Sequence, residues 1–493
     1  MKEYIKTKGG LLIAAVFLLA SCMEEQGNYI YTDVNEVKID SVLRNYSCLQ
    51  FDSLHVVPKL TFTQDSSNCA YKWEALQSGD IGGDKVIPLS AKRNLEERIT
   101  LIPGAYDVYY TVKDLNTQIQ FQQSFKLHVT TSVYEGWLLL TDTQDAPRLD
   151  MISIINDELT PLYGVTEGSG LELSGDPGFV YTYDGIPGFY CVYVSTSGNG
   201  TVKLQPNDFS WEENYNLSNE FVINQPVDLE AASISGGAPS WGYVNVEGDI
   251  YHYYKPWSKY YGATINHIND EPFKASPQMV SENAWGYAIF YDETNKRFVR
   301  SAQTSGMTTV MPNPAEETRK FDYTTGMDLV YMTSNNFTNS WYGSVFAILN
   351  EPATNKNYLA FFISWSGEQK YYGEIDAIDF DQATSYAVSP SYGYLFYAVG
   401  SKVYQYDFNN KKNIEMLDLA PRQVSLIKFE NFYNNKYGSN RNRLVVCSYD
   451  PSGEDGSNGT FELYRVPEVN GMIELEESYE GFGKIVSVAY RER

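Results

Sequence analysis

Seven times between residues 136 and 438 of this 493-residue chain, a glycine stands ahead of a short aromatic and β-branched stretch. Gly136 opens GWLLLTD, Gly188 GFYCVYV, Gly242 GYVNV, Gly286 GYAIFYD, Gly343 GSVFAIL and Gly393 GYLFYAV, and Gly438 lies ahead of RLVVCSY. The intervals are 52, 54, 44, 57, 50 and 45 residues. Each stretch runs through a turn into a second alternating stretch, as where Val399-Gly400-Ser401-Lys402-Val403 leads into Tyr404-Gln405-Tyr406-Asp407-Phe408. Period-2 alternation with turn residues at the tips marks antiparallel hairpins. Units of this length fit propeller blades far better than the coils of a solenoid.

The two ends of the repeat predict how it closes. The first unit opens directly on WLLLTD with no room for a strand before it, and the chain ends on a lone strand, Lys484-Ile485-Val486-Ser487-Val488-Ala489-Tyr490. If that strand completes the first blade, the ring has no exposed edge. The expectation is an all-β chain whose residues 134–493 form a seven-bladed β-propeller, with six or eight blades as the neighbouring counts.

Residues 36–133 follow a different rhythm, about seven short strands in a hundred residues, which predicts a β-sandwich. Trp73 stands where such sandwiches bury a tryptophan. The stretch Gly104-Ala105-Tyr106-Asp107-Val108-Tyr109-Tyr110-Thr111-Val112-Lys113-Asp114 resembles the G-x-Y-x-V-x-x-T-V-x-D strand of polycystic-kidney-disease (PKD) domains. With Gly27-Asn28-Tyr29 and the N-terminal signal below, the first 135 residues resemble the PKD-like lipoproteins of Bacteroidetes. The PKD-type WDFGD turn is missing, and Glu74-Ala75-Leu76 follows Trp73 instead, which marks a divergent member. The resemblance implies an immunoglobulin-like sandwich in an envelope lipoprotein associated with nutrient uptake; it names no ligand.

Lys2, Lys6 and Lys8 precede an apolar run from Leu11 to Ala20. That is the layout of a secretory signal, and the run is too short to cross ~30 Å of hydrocarbon. Leu19-Ala20-Ser21-Cys22 resembles the bacterial lipobox, so residues 1–21 are expected to be removed and Cys22 to carry lipid, with 22–35 as a leash. Glu24 and Glu25 resemble the surface-export signal of Bacteroidetes lipoproteins, which favours the outer face of the outer membrane over the periplasmic one. The full chain carries a net charge of −25, and loss of residues 1–21 leaves −27. Such a balance repels phosphate backbones, and nucleic acid is not an expected partner.

Catalytic signatures are missing. The four histidines, His55, His128, His252 and His267, form no metal motif, and no G-x-S-x-G, H-E-x-x-H or Walker-type loop occurs. No cofactor or metal is expected. Cys48, Cys69, Cys191 and Cys447 are too spread for a zinc knuckle, while a Cys48–Cys69 bridge stays open. Aromatic content is the better lead, with 41 Tyr and eight Trp. YHYYKPWSKYYG and SWSGEQKYYGE place Trp257, Tyr260, Tyr261, Trp365, Tyr371 and Tyr372 as candidate ligand-binding aromatics on loops, since flat rings with polar tips suit sugars or apolar side chains. Trp137, Trp241, Trp285 and Tyr392 flank the repeating glycine and are expected to pack blades. The expected role is non-catalytic binding or scaffolding of a glycan, a peptide or an outer-membrane uptake partner. The alternative is a surface hydrolase or lyase, which needs two carboxylates from different blades about 5–9.5 Å apart at the ring axis.

Overall fold

The computed structural model describes residues 34–493 except 50–51, 65–67, 78–84, 100, 102–103, 145, 156, 168, 184–190, 208, 238–240, 255–259, 282–286, 303, 339–342 and 433. Cys22, Glu24, Glu25 and Trp257 lie outside the described residues. The chain divides into two compact units, the first ending at Thr130 and the second running from Thr131 to Arg493.

In the first unit, one five-stranded sheet has the order Asn45–Leu49, Gln120–Thr130, Gly104–Asp114, Cys69–Gln77, Lys85–Ser90. The first pair is parallel and the rest antiparallel. Two short ribbons, Val37–Asp40 with Lys59–Phe62 and Ser53–Val56 with Leu95–Arg98, bury Val37, Leu54, Val56 and Leu95 in the same core. Along Gly104–Asp114 the period-2 pattern turns Tyr106, Val108, Tyr110 and Val112 inward. Trp73 is fully buried, stacked 4.0 Å from the Tyr110 ring, and its indole N–H donates to the Lys92 carbonyl at 2.9 Å. That bond removes the cost of burying a polar tip. A Cys48–Cys69 bridge is excluded. Cys48 pairs with Val129, opposite Gly104, whereas Cys69 faces Asp114 at the other end of that 11-residue strand. About 3.3 Å per residue puts the two roughly 30 Å apart.

Among the described residues, the second unit is a ring of seven blades with one added two-stranded ribbon, His267–Ile268 with Glu271–Pro272. Blades 5, 6 and 7 are regular four-stranded meanders: Asp328–Asn335 to Gln369–Glu374, Ser385–Val388 to Lys412–Asp418, and Gln423–Phe429 to Glu474–Phe482. Blades 2, 3 and 4 keep three strands each, and isolated bridges mark the missing position: Val202 with Asn216, Tyr251 with Thr264, and in blade 4 both Ala275 with Asp292 and Val280 with Ile289. Blade 1 has the order Glu158–Leu162, Arg148–Ile155, Gly136–Asp142, Lys484–Arg491. The last strand of the chain thus pairs with the first strand of the unit, as the sequence predicts.

Closure rests on packing as well as pairing. An apolar cluster fills each of the seven gaps between neighbouring blades. The cluster at the closing gap brings Trp137, Ile485 and Tyr490 of blade 1 against Phe461 and Phe432 of blade 7, with Trp137 4.9 Å from the Tyr490 ring. At the axis the first strands are stitched to one another by polar bonds. Lys428 donates to the Val488 carbonyl (2.8 Å), the Val180 amide to Ser487 Oγ (3.1 Å), Gln278 to the Val330 carbonyl (3.0 Å) and Asn335 to the Val388 carbonyl (3.1 Å).

The repeating glycine has a structural reason in some units only. Gly136 sits at φ +142°, where an added Cβ would run into the Ile152 backbone, and Gly393 sits at φ +72° with the Phe337 ring against it. Gly242, by contrast, is an ordinary strand residue, and Gly438 lies in the short helix Asn435–Asn442 with open space around it.

Candidate functional site

Strands of a blade alternate in direction, so turns sort themselves onto two faces. Turns joining first to second and third to fourth strands share one face, here called the lower. Turns joining second to third strands, together with the connections between blades, share the upper.

On the lower face, three successive third-to-fourth turns expose a large apolar side chain: Tyr260 of blade 3 (53% exposed), Met307 of blade 4 (69%) and Trp365 of blade 5 (46%). Trp365 is the most exposed tryptophan among the described residues. Its turn is tightly held. The Ile363 amide donates to the Glu368 carbonyl (3.0 Å), the Gly367 amide to the Ile363 carbonyl (2.9 Å), and the buried Tyr323 hydroxyl of blade 4 to the Gly367 carbonyl (2.9 Å). Burial also pushes the Tyr323 phenol well above its ordinary range, so it stays a donor. Behind Trp365 lies Tyr287, ring to ring at 5.9 Å, and the Arg300 guanidinium sits 4.3 Å over the other ring.

Three other candidates belong to the core. Tyr261 is 1% exposed, packed between blades 2 and 3 against Phe221 (5.2 Å) and Tyr253 (5.1 Å). Tyr371 and Tyr372 lie on Gln369–Glu374 rather than on a loop. Their side chains point to opposite sides of the sheet, Tyr371 onto Phe408 (4.8 Å) and Tyr372 onto Tyr358 (5.4 Å) and Phe321 (5.2 Å). Burial pushes the Tyr372 phenol up to about 12. These three fill gaps between blades and are not presented to a ligand. Trp137 and Trp241 are buried between blades. Sequence reading missed Tyr287, Arg300 and Met307. None of the three carried a sequence signal, since Arg300 stands in RFVRSA with a second arginine, Arg297, and a serine.

The upper face carries an open hollow of about 550 Å³ between blades 6 and 7, rimmed by Asp418, Arg422, Asp450, Glu454 and Glu480. Three of its charges are committed elsewhere. Arg422 binds Glu462 (3.2 Å), while Asp418 accepts from Ser401 (2.8 Å) and Asp450 from Ser452 (2.7 Å), which holds both carboxyls below their usual range. On or just after the described first strands, Asp328 pairs with Lys296 (2.6 Å). At the opposite end of the ring, Glu430 pairs with Lys428 (2.9 Å) and Glu492 accepts the Asn434 amide (2.7 Å). A strand length of roughly 20 Å separates Asp328 from the other two. Among the described residues, no group of three His, Cys, Asp or Glu side chains is placed to hold a metal.

Comparison with known proteins bears on the first unit. Residues 22–177 match the PKD-like family. The chain's N-terminal third is thus similar to that family. The match runs past Thr130 into the strands of the first blade. No curated protein matches. Among solved structures, a quinonprotein alcohol dehydrogenase-like protein from Bacteroides thetaiotaomicron is similar at TM-score 0.44 and 11% identity, over 93% of this chain and 99% of that one. The β-propeller domain of Cps50 (Swd1) from Myceliophthora thermophila is similar at 0.40 and 6%, over 68% and 97%. Likenesses this remote carry no functional weight, and the ring is established by its own sheet order and its seven apolar clusters.

Proposed function

We propose that this is a non-catalytic binding lipoprotein. Lipid on Cys22 anchors it in the outer membrane, Glu24 and Glu25 direct it to the cell surface, and the lower face of its propeller engages a glycan, a peptide or a neighbouring uptake protein. The observation that carries this reading is the row of exposed Tyr260, Met307 and Trp365 on consecutive turns of one face. Apolar side chains of this size gain by leaving water. Roughly 100 Å² of indole remains exposed on Trp365, worth about 2.5 kcal/mol at 25 cal/mol per Å² when covered. Most of the charged groups named on the upper face and around the axis are committed to capping and ion pairs, which supports binding over acid–base chemistry. The rival reading, a surface hydrolase, needs two free carboxylates facing each other about 5–9.5 Å apart.

The test is capture from a glycan array and from solubilised envelope membranes, comparing the unaltered protein with Trp365→Ala and Glu454→Ala. Trp365→Ala should weaken capture by about 50-fold, matching 2.5 kcal/mol, while Glu454→Ala on the upper face leaves it unchanged. Capture indifferent to Trp365, or hydrolysis of an array glycan, refutes the proposal.

A further inference from the structure

Arg300 is anomalous in a chain of net charge −25. Every other described arginine of the second unit pairs with a carboxylate or donates to a backbone carbonyl. Arg300 does neither, and its Nε is buried without an acceptor. Its cross-strand neighbours are Ile289 and Thr309, so no acid lies opposite it. The closest turn carboxylate in sequence to Trp365, Glu368, is taken by Lys370 at 2.7 Å. A guanidinium is a planar fork matched to a carboxylate, and leaving its donors unmade inside a protein is unfavourable. Its fixed contact is the Tyr287 face at 4.3 Å, and Tyr287 in turn backs the exposed Trp365.

We propose that Arg300, Tyr287 and Trp365 form a binding site for a carboxylate-bearing sugar ring, a hexuronate unit in an otherwise neutral glycan. The inference rests on the lower face being the binding face and adds the chemical class of its ligand. The Trp365 face receives the C–H face of the ring, and the terminal amino groups of Arg300, whose Nε is buried, receive its carboxylate. A half-exposed aromatic platform suits a flat ring, whereas a peptide anchor wants a pocket to fill. The acidic balance of the chain disfavours a densely charged polyanion and leaves room for an isolated acid.

The test is calorimetric titration of the purified full chain with a trisaccharide carrying one glucuronate on two neutral sugars, with its methyl ester and with the peptide Glu-Trp-Glu, at fixed salt. The acid should bind at least tenfold tighter than the ester. Arg300→Met should bring the acid down to the ester's affinity, Arg300→Lys should fall between, and Trp365→Ala should weaken both sugars. Equal affinity for acid and ester, both lost in Trp365→Ala, overturns the carboxylate assignment while leaving the lower-face reading intact. Preference for the peptide, or no binding of either sugar, overturns the sugar assignment; the lower-face reading then stands or falls on the capture experiment. Should Arg300→Met fail to fold, the acid-to-ester ratio of the unaltered protein decides alone.

Discussion

Replacing Ile485 by alanine tests ring closure. Ile485 is fully buried in the gap between blades 7 and 1, on the strand Lys484–Arg491 that pairs with Gly136–Asp142. The substitution removes three carbons, about 2.4 kcal/mol of transfer free energy at 0.8 kcal/mol each. The rigid wall of Trp137, Phe461 and Phe482 around it cannot collapse into the space, so a cavity cost of about 1–2 kcal/mol adds to this, giving about 4 kcal/mol in total. With a urea m-value of about 3 kcal/mol/M, the midpoint should fall by about 1.3 M. Val486→Ala on the same strand is the control. Val486 is part-exposed, occupies the bulge opposite Leu140 and Thr141, and should cost under about 1.5 kcal/mol. Urea unfolding followed by circular dichroism reads both. If Ile485→Ala moves the midpoint no further than Val486→Ala, the closing strand is an appendage and the ring does not depend on it.

Two further outcomes follow from buried ionisable groups. Burial raises the phenol pKa of Tyr193, Tyr243, Tyr261, Tyr291 and Tyr490 above the ordinary value near 10. Above pH 10 the unfolded chain therefore holds fewer protons than the folded one and stability must fall as pH rises; tyrosinate absorbance at 295 nm should rise together with unfolding, and full ionisation of a folded protein would contradict this. Asp407 is buried, which alone would raise its carboxyl, but hydrogen bonds from Asn470 (2.7 Å) and from the Asn410 side chain (2.8 Å) and amide (3.2 Å), with the Asn409 amide (3.0 Å), outweigh burial and lower it. Its contribution is present above the unfolded value near 4 and is lost as pH falls through the folded value. Asp407→Ala should cost about 1.5–3 kcal/mol at pH 7 and less below pH 4, measured by urea unfolding at both.

The ring was legible because its period and its ends are properties of the chain. The orphan strand at Lys484–Arg491 and the missing opener before Gly136 each demand the other. Blades 2, 3 and 4 were less legible, since isolated bridges at Asn216, at Thr264 or at Ala275 and Val280 leave no alternating run to find. The aromatic candidates divided on burial, which neighbouring residues conceal. Tyr260 and Tyr261 are adjacent tyrosines, yet one is 53% exposed and the other 1%, because the Tyr261 amide and carbonyl pair with Glu220 and Val222 and draw its ring between two blades. Tyr371 and Tyr372 read as loop because Gly367 and Ser366 precede them, but the turn is complete by Glu368 and Gln369 opens the strand. Arg300 could not be recognised from sequence. Its importance lies in the missing partner, which depends on what the fold sets opposite it.

The lower-face reading is tested most directly by site-specific photo-crosslinking in intact cells, with benzoylphenylalanine placed at position 307 or 365 on the lower face or at 454 on the upper. Adducts to a glycan or an envelope protein from 307 and 365, with none from 454, are what the proposed function predicts. Adducts from 454 alone, or from none of the three, would contradict it.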